Sequence, residues 1–185
     1  MWENAGESVK RLDELKGTDV IKELDMLFKQ GIEFVEPTDL SGAIRGRHNI
    51  YSHLETMLKN AEKNVTIVTT SKGLLRKMDT LKSTLEKLKK KNVKIRIAAP
   101  INKENVDSLK ELAKVAEVRH ANKLNARFAI VDGKELMFMV MHDDNVHPSY
   151  DIGVWVNTPY FASALEGVFD LAWKDMQPAD KVSVK

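Results

Sequence analysis

The stretch Asn125-Ala126-Arg127-Phe128-Ala129-Ile130-Val131-Asp132 decides how this chain folds. Phe128 to Val131 is apolar at every position, as a strand buried on both faces must be. Asp132-Gly133 follows, and Leu136 to Met141 is a second apolar run. An Asp-Gly pair between two such runs predicts a hairpin, because both residues tolerate the positive φ angles of a type I′ turn. Three polar residues, Asn125, Arg127 and Asp132, are tied to that hairpin at fixed spacing.

Upstream of the hairpin, strand and helix patterns alternate. Leu40 to Arg45 reads as a short strand. Ile50, Leu54, Met57, Leu58 and Ala61 recur at helical spacing from about His48 to Ala61. Asn64 to Thr70 reads as a strand, and Ser71 is placed to cap a long helix running to Lys91. The core face of that helix is Leu74, Leu75, Met78, Leu81, Leu85 and Leu88. Val93, Ile95 and Ile97 alternate with Lys94 and Arg96, which predicts a strand with one wet face. Asn102 is expected to cap a further helix carrying Val106, Leu109, Leu112 and Ala113, and Val118 to begin a short strand.

Downstream lies the loop Met141 to Tyr150, then a strand from Asp151 to Val156. Thr158-Pro159 opens a last helix, with Pro where its missing N–H costs nothing. Phe161, Leu165, Val168, Phe169, Ala172 and Met176 give it an apolar side. The first thirty residues carry two apolar stripes, Val9-Leu12-Leu15 and Ile21-Leu24-Leu27-Phe28, separated by Gly17-Thr18. They either pack against a second subunit or dock onto the domain behind them. The whole pattern predicts an α/β layered domain with a mixed sheet, parallel at the crossovers and antiparallel at the hairpin.

A chain of 185 residues, 43% hydrophobic and 30% charged, suits one soluble domain with a sizeable core. No run approaches the roughly 18 apolar residues of a membrane span, and Met1-Trp2-Glu3-Asn4 lacks a signal-peptide pattern. A cytoplasmic protein with no membrane partner is the expectation. The absence of cysteine excludes disulfides, thiolate catalysis and Cys-based zinc sites. Net charge is only +2, yet Lys72 to Arg96 holds ten basic residues against Asp79 and Glu86, a local charge of +8. That run is either an anion- or nucleic-acid-binding face or, more plainly, the solvated side of an amphipathic helix whose Lys89-Lys90-Lys91 suits the C-terminal dipole. No aromatic residues are interleaved in it for base stacking.

The hairpin's polar spacing resembles the phospholipase D motif, His-x-Lys followed by four residues and Asp. Asn125 stands in the place of the His, Arg127 in that of the Lys, and Asp132 matches. In that family the His attacks phosphorus, which a neutral amide cannot do. Gly46-Arg47-His48-Asn49-Ile50, Ala61 to Ile67 and the strand-ending Ser71 resemble the opening of such a domain. Asp151-Ile152-Gly153-Val154-Trp155-Val156, Pro159, Phe161-Ala162, Phe169 and Trp173 resemble its closing strand and helix. Together they are similar to the effector domain of the archaeal TrmB family of transcription regulators, over roughly Leu40 to Met176.

The resemblance implies a phospholipase D-like layered sandwich over residues 36–178, a helical linker or dimerisation segment over 1–35, and a tail over 179–185. It implies a non-catalytic, ligand-sensing and dimerising domain, with no cofactor. The partners implied are a second copy of the chain, a small effector (a sugar or an anionic metabolite), and DNA through a winged-helix domain absent from this chain. Either the chain is a fragment or it works without its own DNA-reading module. It also ends without the further C-terminal domain that helps some sugar-sensing members hold their ligand.

The residues carried over to a ligand pocket are Asn125, Arg127 and Asp132, joined by Ser71 and by His142 and Asp143 from the loop after the hairpin. Arg127 offers a planar fork for carboxylate or phosphate. Asp132 has a second reading, as the turn residue alone, and Ser71 a second reading as the helix cap. His142, Asp143, Asp144 and His147 would suit a divalent metal by ligand type, but no fixed spacing supports one, and a polar loop is the plainer reading. Two further functions stay open. One is a dimerisation scaffold with a relic pocket. The other is a single-motif phosphodiesterase or nuclease with an unconventional nucleophile such as His120.

Overall fold

The computed structural model describes residues 40–122 and 124–183, together with positions 19, 21, 22 and 26. The chain divides into two compact units, Met1–Pro37 and Thr38–Lys185, and the second carries the sheet. Apart from those four positions, the helices expected over the first thirty residues lie outside the described residues.

The hairpin forms as its sequence requires. Strand β5 (Phe128–Val131) is buried throughout and pairs antiparallel with β6 (Glu135–Met139). Asp132 and Gly133 adopt φ values of 55° and 64°, and the Lys134 N–H donates to the Val131 carbonyl at 2.9 Å. Two positive φ values in a two-residue loop are the type I′ geometry. A Cβ on Gly133 would also stand 3.0 Å from a Glu166 carboxylate oxygen.

Six more strands complete the sheet: β1 (Ser41–Arg45), β2 (Asn64–Val68), β3 (Lys94–Ala99), β4 (Glu117–His120), β7 (Ile152–Asn157) and β8 (Gln177–Pro178). Their order is β1-β7-β6-β5-β2-β3-β4-β8. β2–β3 and β3–β4 are parallel and every other pair is antiparallel. The sheet is therefore mixed, as the alternation of elements predicts.

Helices α1 (Arg47–Lys59) and α2 (Ser71–Lys90) carry Ile50, Leu54, Leu58, Leu74, Leu81, Leu85 and Leu88 into a core shared with Val65, Ile67, Ile95, Ile97 and Met137. Between β3 and β4 lie a single 3-10 turn at Val106–Ser108 and the short α3 (Leu109–Leu112). On the opposite face, α4 (Pro159–Asp175) lays Ala162, Phe169 and Trp173 over Val68, Ala98, Phe128, Ile130 and Leu136. Phe128 and Ile130 thus feed one core while Ala129 and Val131 feed the other, which is why β5 tolerates no polar residue. β7 approaches α1 so closely that a Cβ on Gly153 would lie 3.1 Å from Ile50 Cγ1.

Several local expectations are corrected. The cap of α2 is Thr70, whose Oγ1 accepts the Gly73 N–H at 2.9 Å, while Ser71 is the first helical residue. The face of β3 expected to be wet is exposed only at Lys94; farther along, α4 covers it, and Arg96 is buried there against Glu166 at 3.1 Å and Asp170. Asn102 caps no long helix; its Oδ1 accepts from the Glu104 N–H in a local turn. Leu75 is only half-buried, and Lys77 and Thr84 join the buried face of α2 instead. In α4, Trp173 and Phe169 set which side faces the sheet, so Phe161 and Val168 remain exposed. Thr158 does cap α4, accepting from Phe161 N–H at 3.4 Å, with Pro159 in the first turn.

Candidate functional site

β2 and β3 run parallel and end side by side at Val68 and Ala99, with Thr69 and Pro100 leaving the sheet there. The carboxyl ends of parallel strands are where an open α/β sheet presents its crevice. A cleft of about 230 Å³ opens there. Its walls include the first residues of α2 (Thr70, Ser71, Lys72), the turn at Asn102 and Glu104, the approach to β5 (Leu124, Asn125, Ala126), and His142 and Asp144 from the loop after β6. Lys72 Nζ meets Asp144 Oδ1 at 2.8 Å, joining two walls of the cleft. The lining mixes hydroxyl and amide groups (Thr69, Thr70, Ser71, Asn102, Asn125) and charged side chains with the apolar Pro100, Leu124 and Ala126, which suits a small molecule held by a few placed polar groups.

Beside the cleft lies a buried ionic network. Asp151 is fully buried and accepts three charge-assisted bonds: from Arg127 at 3.1 and 2.8 Å, one to each carboxylate oxygen, and from Arg47 Nε at 3.0 Å. Arg127 also donates to the Met141 carbonyl at 2.7 Å. Asp143 accepts from Thr70 Oγ1 at 2.8 Å and from Arg76, and its own carbonyl accepts from Arg47 at 3.3 Å. Burial works to raise the pKa of both carboxyls. For Asp143 the Thr70 hydroxyl and the Arg76 and Arg127 charges outweigh it; for Asp151 the hydrogen bonds from Arg127 and Arg47 do. Both therefore sit below the usual carboxylate range.

Lys77 completes the network. Its ammonium donates to Thr69 Oγ1 at 3.0 Å and lies 5.1 Å from the centre of the Tyr51 ring. Burial, reinforced by repulsion from Arg127 and Arg76, pushes its pKa down to about 7. Thr69 and Thr70 belong both to the cleft wall and to this network.

Of the six residues expected at a pocket, Asn125, Ser71 and His142 line the cleft. Arg127 and Asp143 do not; they face inward to each other's neighbours, and the Arg127 fork is already occupied by Asp151. The alternative reading of Ser71 as the cap is replaced by a side-chain bond, its hydroxyl accepting from the buried Asn105 Nδ2 at 3.0 Å. Asp132 lies at the other end of β5. Its carboxylate accepts the backbone N–H groups of Glu62, Lys63 and Asn64 at 2.9, 2.8 and 2.9 Å. It tethers the α1–β2 connection to the hairpin and does not join the other motif positions. Replacing it with Ala should cost about 2 kcal/mol in chemical denaturation and leave the cleft unchanged.

His120, the candidate unconventional nucleophile, accepts the Ile101 N–H on Nδ1 at 2.9 Å and is not among the residues of the cleft wall. His147 likewise caps a turn, accepting from Ser149 N–H at 3.3 Å. Among the described residues no group of three or more His, Asp or Glu side chains is arranged as metal ligands would be. No helix among them is long and apolar enough to cross a membrane. Asp151, Arg47, Arg76 and Lys77 were not anticipated from the sequence. Lys77 had a visible signal, since it sits on the apolar face of α2 between Leu74 and Leu81.

The family model described as transcriptional regulator TrmB, EBD N-terminal subdomain, matches residues 42–176. No curated protein matches the chain. Among solved structures, the chain is similar to TrmBL2, an archaeal chromatin protein described as showing a novel mode of DNA binding. That match has 20% identity and a TM-score of 0.58, covering 95% of this chain and 67% of that one. Nuc, a phospholipase D family member of Salmonella typhimurium, matches at 12% identity and a TM-score of 0.59, over 75% of this chain and 97% of its own. NucT of Helicobacter pylori matches at 13% identity and a TM-score of 0.56, over 75% and 98%. The fold is phospholipase D-like.

Proposed function

Because the chain belongs to the TrmB family of transcriptional regulators, we propose that its phospholipase D-like domain is a non-catalytic, ligand-sensing and dimerising effector domain. The observation that carries this reading is the cleft itself. It is lined by hydrogen-bonding groups, and Asn125, an amide that cannot act as a nucleophile, occupies its wall where the phospholipase D motif has a His. The effector is a small polar metabolite, a sugar or an anionic compound, and the regulator works in the cytoplasm through a winged-helix domain outside this chain.

Binding would be read through the network. A ligand that takes the Thr70 hydroxyl removes a partner of Asp143, and through Arg76 and Arg47 alters the start of α1. Only a ligand that favours one arrangement over another can shift their populations. Dimerisation has surface to bury, because α4 leaves Phe161, Val168 and Leu171 exposed.

A thermal-shift screen against sugars, nucleotides, phosphorylated metabolites and divalent ions tests this, with oligomer mass measured alongside. The expected result is a dimer whose melting temperature rises with the logarithm of one ligand's concentration, an effect lost in Asn125→Ala. Arg127→Ala is unsuited to the test, since it would break the buried pair. Turnover of a phosphodiester by the wild type, abolished in His120→Ala, would overturn the non-catalytic reading.

A further inference from the structure

The sheet end opposite the cleft gathers lysines that the sequence scatters. Of the ten basic residues between Lys72 and Arg96, five are committed inside the domain: Lys72 to Asp144, Arg76 to Asp143, Lys77 to Thr69, Lys82 to Glu111, and Arg96 to Glu166 and Asp170. The rest crowd at the C-terminus of α2 and the start of β3. There the chain turns sharply, with Asn92 at φ 62° and the Val93 N–H reaching back to the Leu88 carbonyl at 3.0 Å. The Lys94 N–H then bonds the Lys63 carbonyl at 2.9 Å, and the Asp132 N–H bonds the Asn64 carbonyl at 2.9 Å. Three connections, 60–63, 87–94 and 132–135, are thereby held side by side.

Those three segments contain seven lysines against three carboxylates, a surplus of four positive charges. Asp132 is spent on backbone amides, and Glu135 Oε2 accepts from Trp155 Nε1 at 2.9 Å. Lys63, Lys89, Lys90, Lys91, Lys94 and Lys134 are all exposed, and no ion pair involving any of them appears among the described residues. This exceeds what a helix C-terminus alone asks for, since Lys63 and Lys134 come from other elements. The three connections carry no aromatic residue to stack on unpaired bases, and no exposed large apolar side chain to enter a bilayer, since Leu88 and Val93 within them are buried.

We propose that this lysine end of the domain contacts the phosphate backbone of duplex DNA, independently of base sequence. It lies about one strand length, roughly 16 Å, from the cleft, so it does not depend on the ligand-sensing reading. It would hold the effector domain against DNA while base recognition occurs elsewhere.

The test is fluorescence anisotropy of the full chain with a labelled duplex of random sequence across a salt series. With about five phosphate contacts, affinity should fall roughly 10²–10³-fold between about 50 and 200 mM salt. In K90Q/K91Q/K94Q/K134Q, affinity at low salt should drop at least about tenfold, and the log–log salt slope should shrink by about 0.9 per lysine removed. The charge-matched K103Q/K110Q/K174Q/K181Q removes four lysines elsewhere and should bind nearly as the wild type does. Equal weakening by both variants would reduce the effect to net charge and overturn the proposal. Tighter binding to a single-stranded oligonucleotide, or to vesicles containing phosphatidylserine at the same salt, would overturn it in favour of another polyanion.

Discussion

Asp151→Ala should destabilise the domain by about 3–5 kcal/mol in urea denaturation, a large share of the stability of a domain this size. The carboxylate is fully buried and is the shared partner of two guanidinium groups. Removing it leaves Arg127 buried with its charge uncompensated; its side chain is 3% exposed. Losing a partner costs far more than the pair contributes, because the desolvated cation cannot recover water. The same logic sets the control. Asp151→Leu combined with Arg47→Met and Arg127→Met removes all three charges and should recover most of the loss, since apolar residues of similar volume are often neutral at such a site. A single variant that loses less than 1 kcal/mol would mean that water reaches Arg127, and the network would then be no rigid link between the cleft and α1. Because Asp151 has a depressed pKa, its contribution is present above the ordinary carboxylate range and is lost as pH falls below it. Acid should therefore mimic the substitution.

What the sequence made legible was local. The I′ turn at Asp132-Gly133, the cap at Thr158 before Pro159, and the heptad-like face of α2 all depend on residues within a few positions of one another. The errors arose where a distant element supplied the environment. Arg96 reads as wet because it alternates with Ile95 and Ile97, yet its partners Glu166 and Asp170 are 70 and 74 residues away on a helix that returns over β3. Arg47 and Asp151 are 104 residues apart, and nothing in either neighbourhood announces the pair. Asp132 shows the limit of motif spacing. It occupies the expected position, but a turn with two positive φ angles directs its carboxylate to the backbone of the α1–β2 connection, away from Asn125. Arg127 has the right type at the right spacing, and burial committed it to Asp151 instead of to a ligand.

Lys77→Met should stabilise the domain at neutral and acid pH, with the advantage fading as pH rises. Lys77 is 5% exposed, and its folded pKa of about 7 lies below the 10.5 of a free lysine. Between those two values the unfolded chain holds a proton that the folded chain has lost, so wild-type stability rises with pH across that window. Below it, both states are charged and the folded state bears the whole cost of a buried ammonium. The upper limit of that cost is about 5 kcal/mol, at 1.36 kcal/mol per pKa unit. Met fills the same volume without the charge, so the variant should carry no such slope. Losing the bond to Thr69 Oγ1 costs about 1 kcal/mol at every pH and shifts the difference curve without tilting it. Arg76, Arg127, Asp143, Asp151 and Tyr51 face Lys77 from α1, α2, the approach to β5 and the loop before β7, and all remain in the variant. Urea denaturation of both proteins from pH 6 to 10 decides the matter. A difference that stays level with pH would mean that Lys77 keeps its proton in the folded state, held by Asp143 and Asp151. A difference that closes as pH rises would place a neutral amine beside Thr69, where a ligand bringing negative charge into the cleft would draw a proton back onto it.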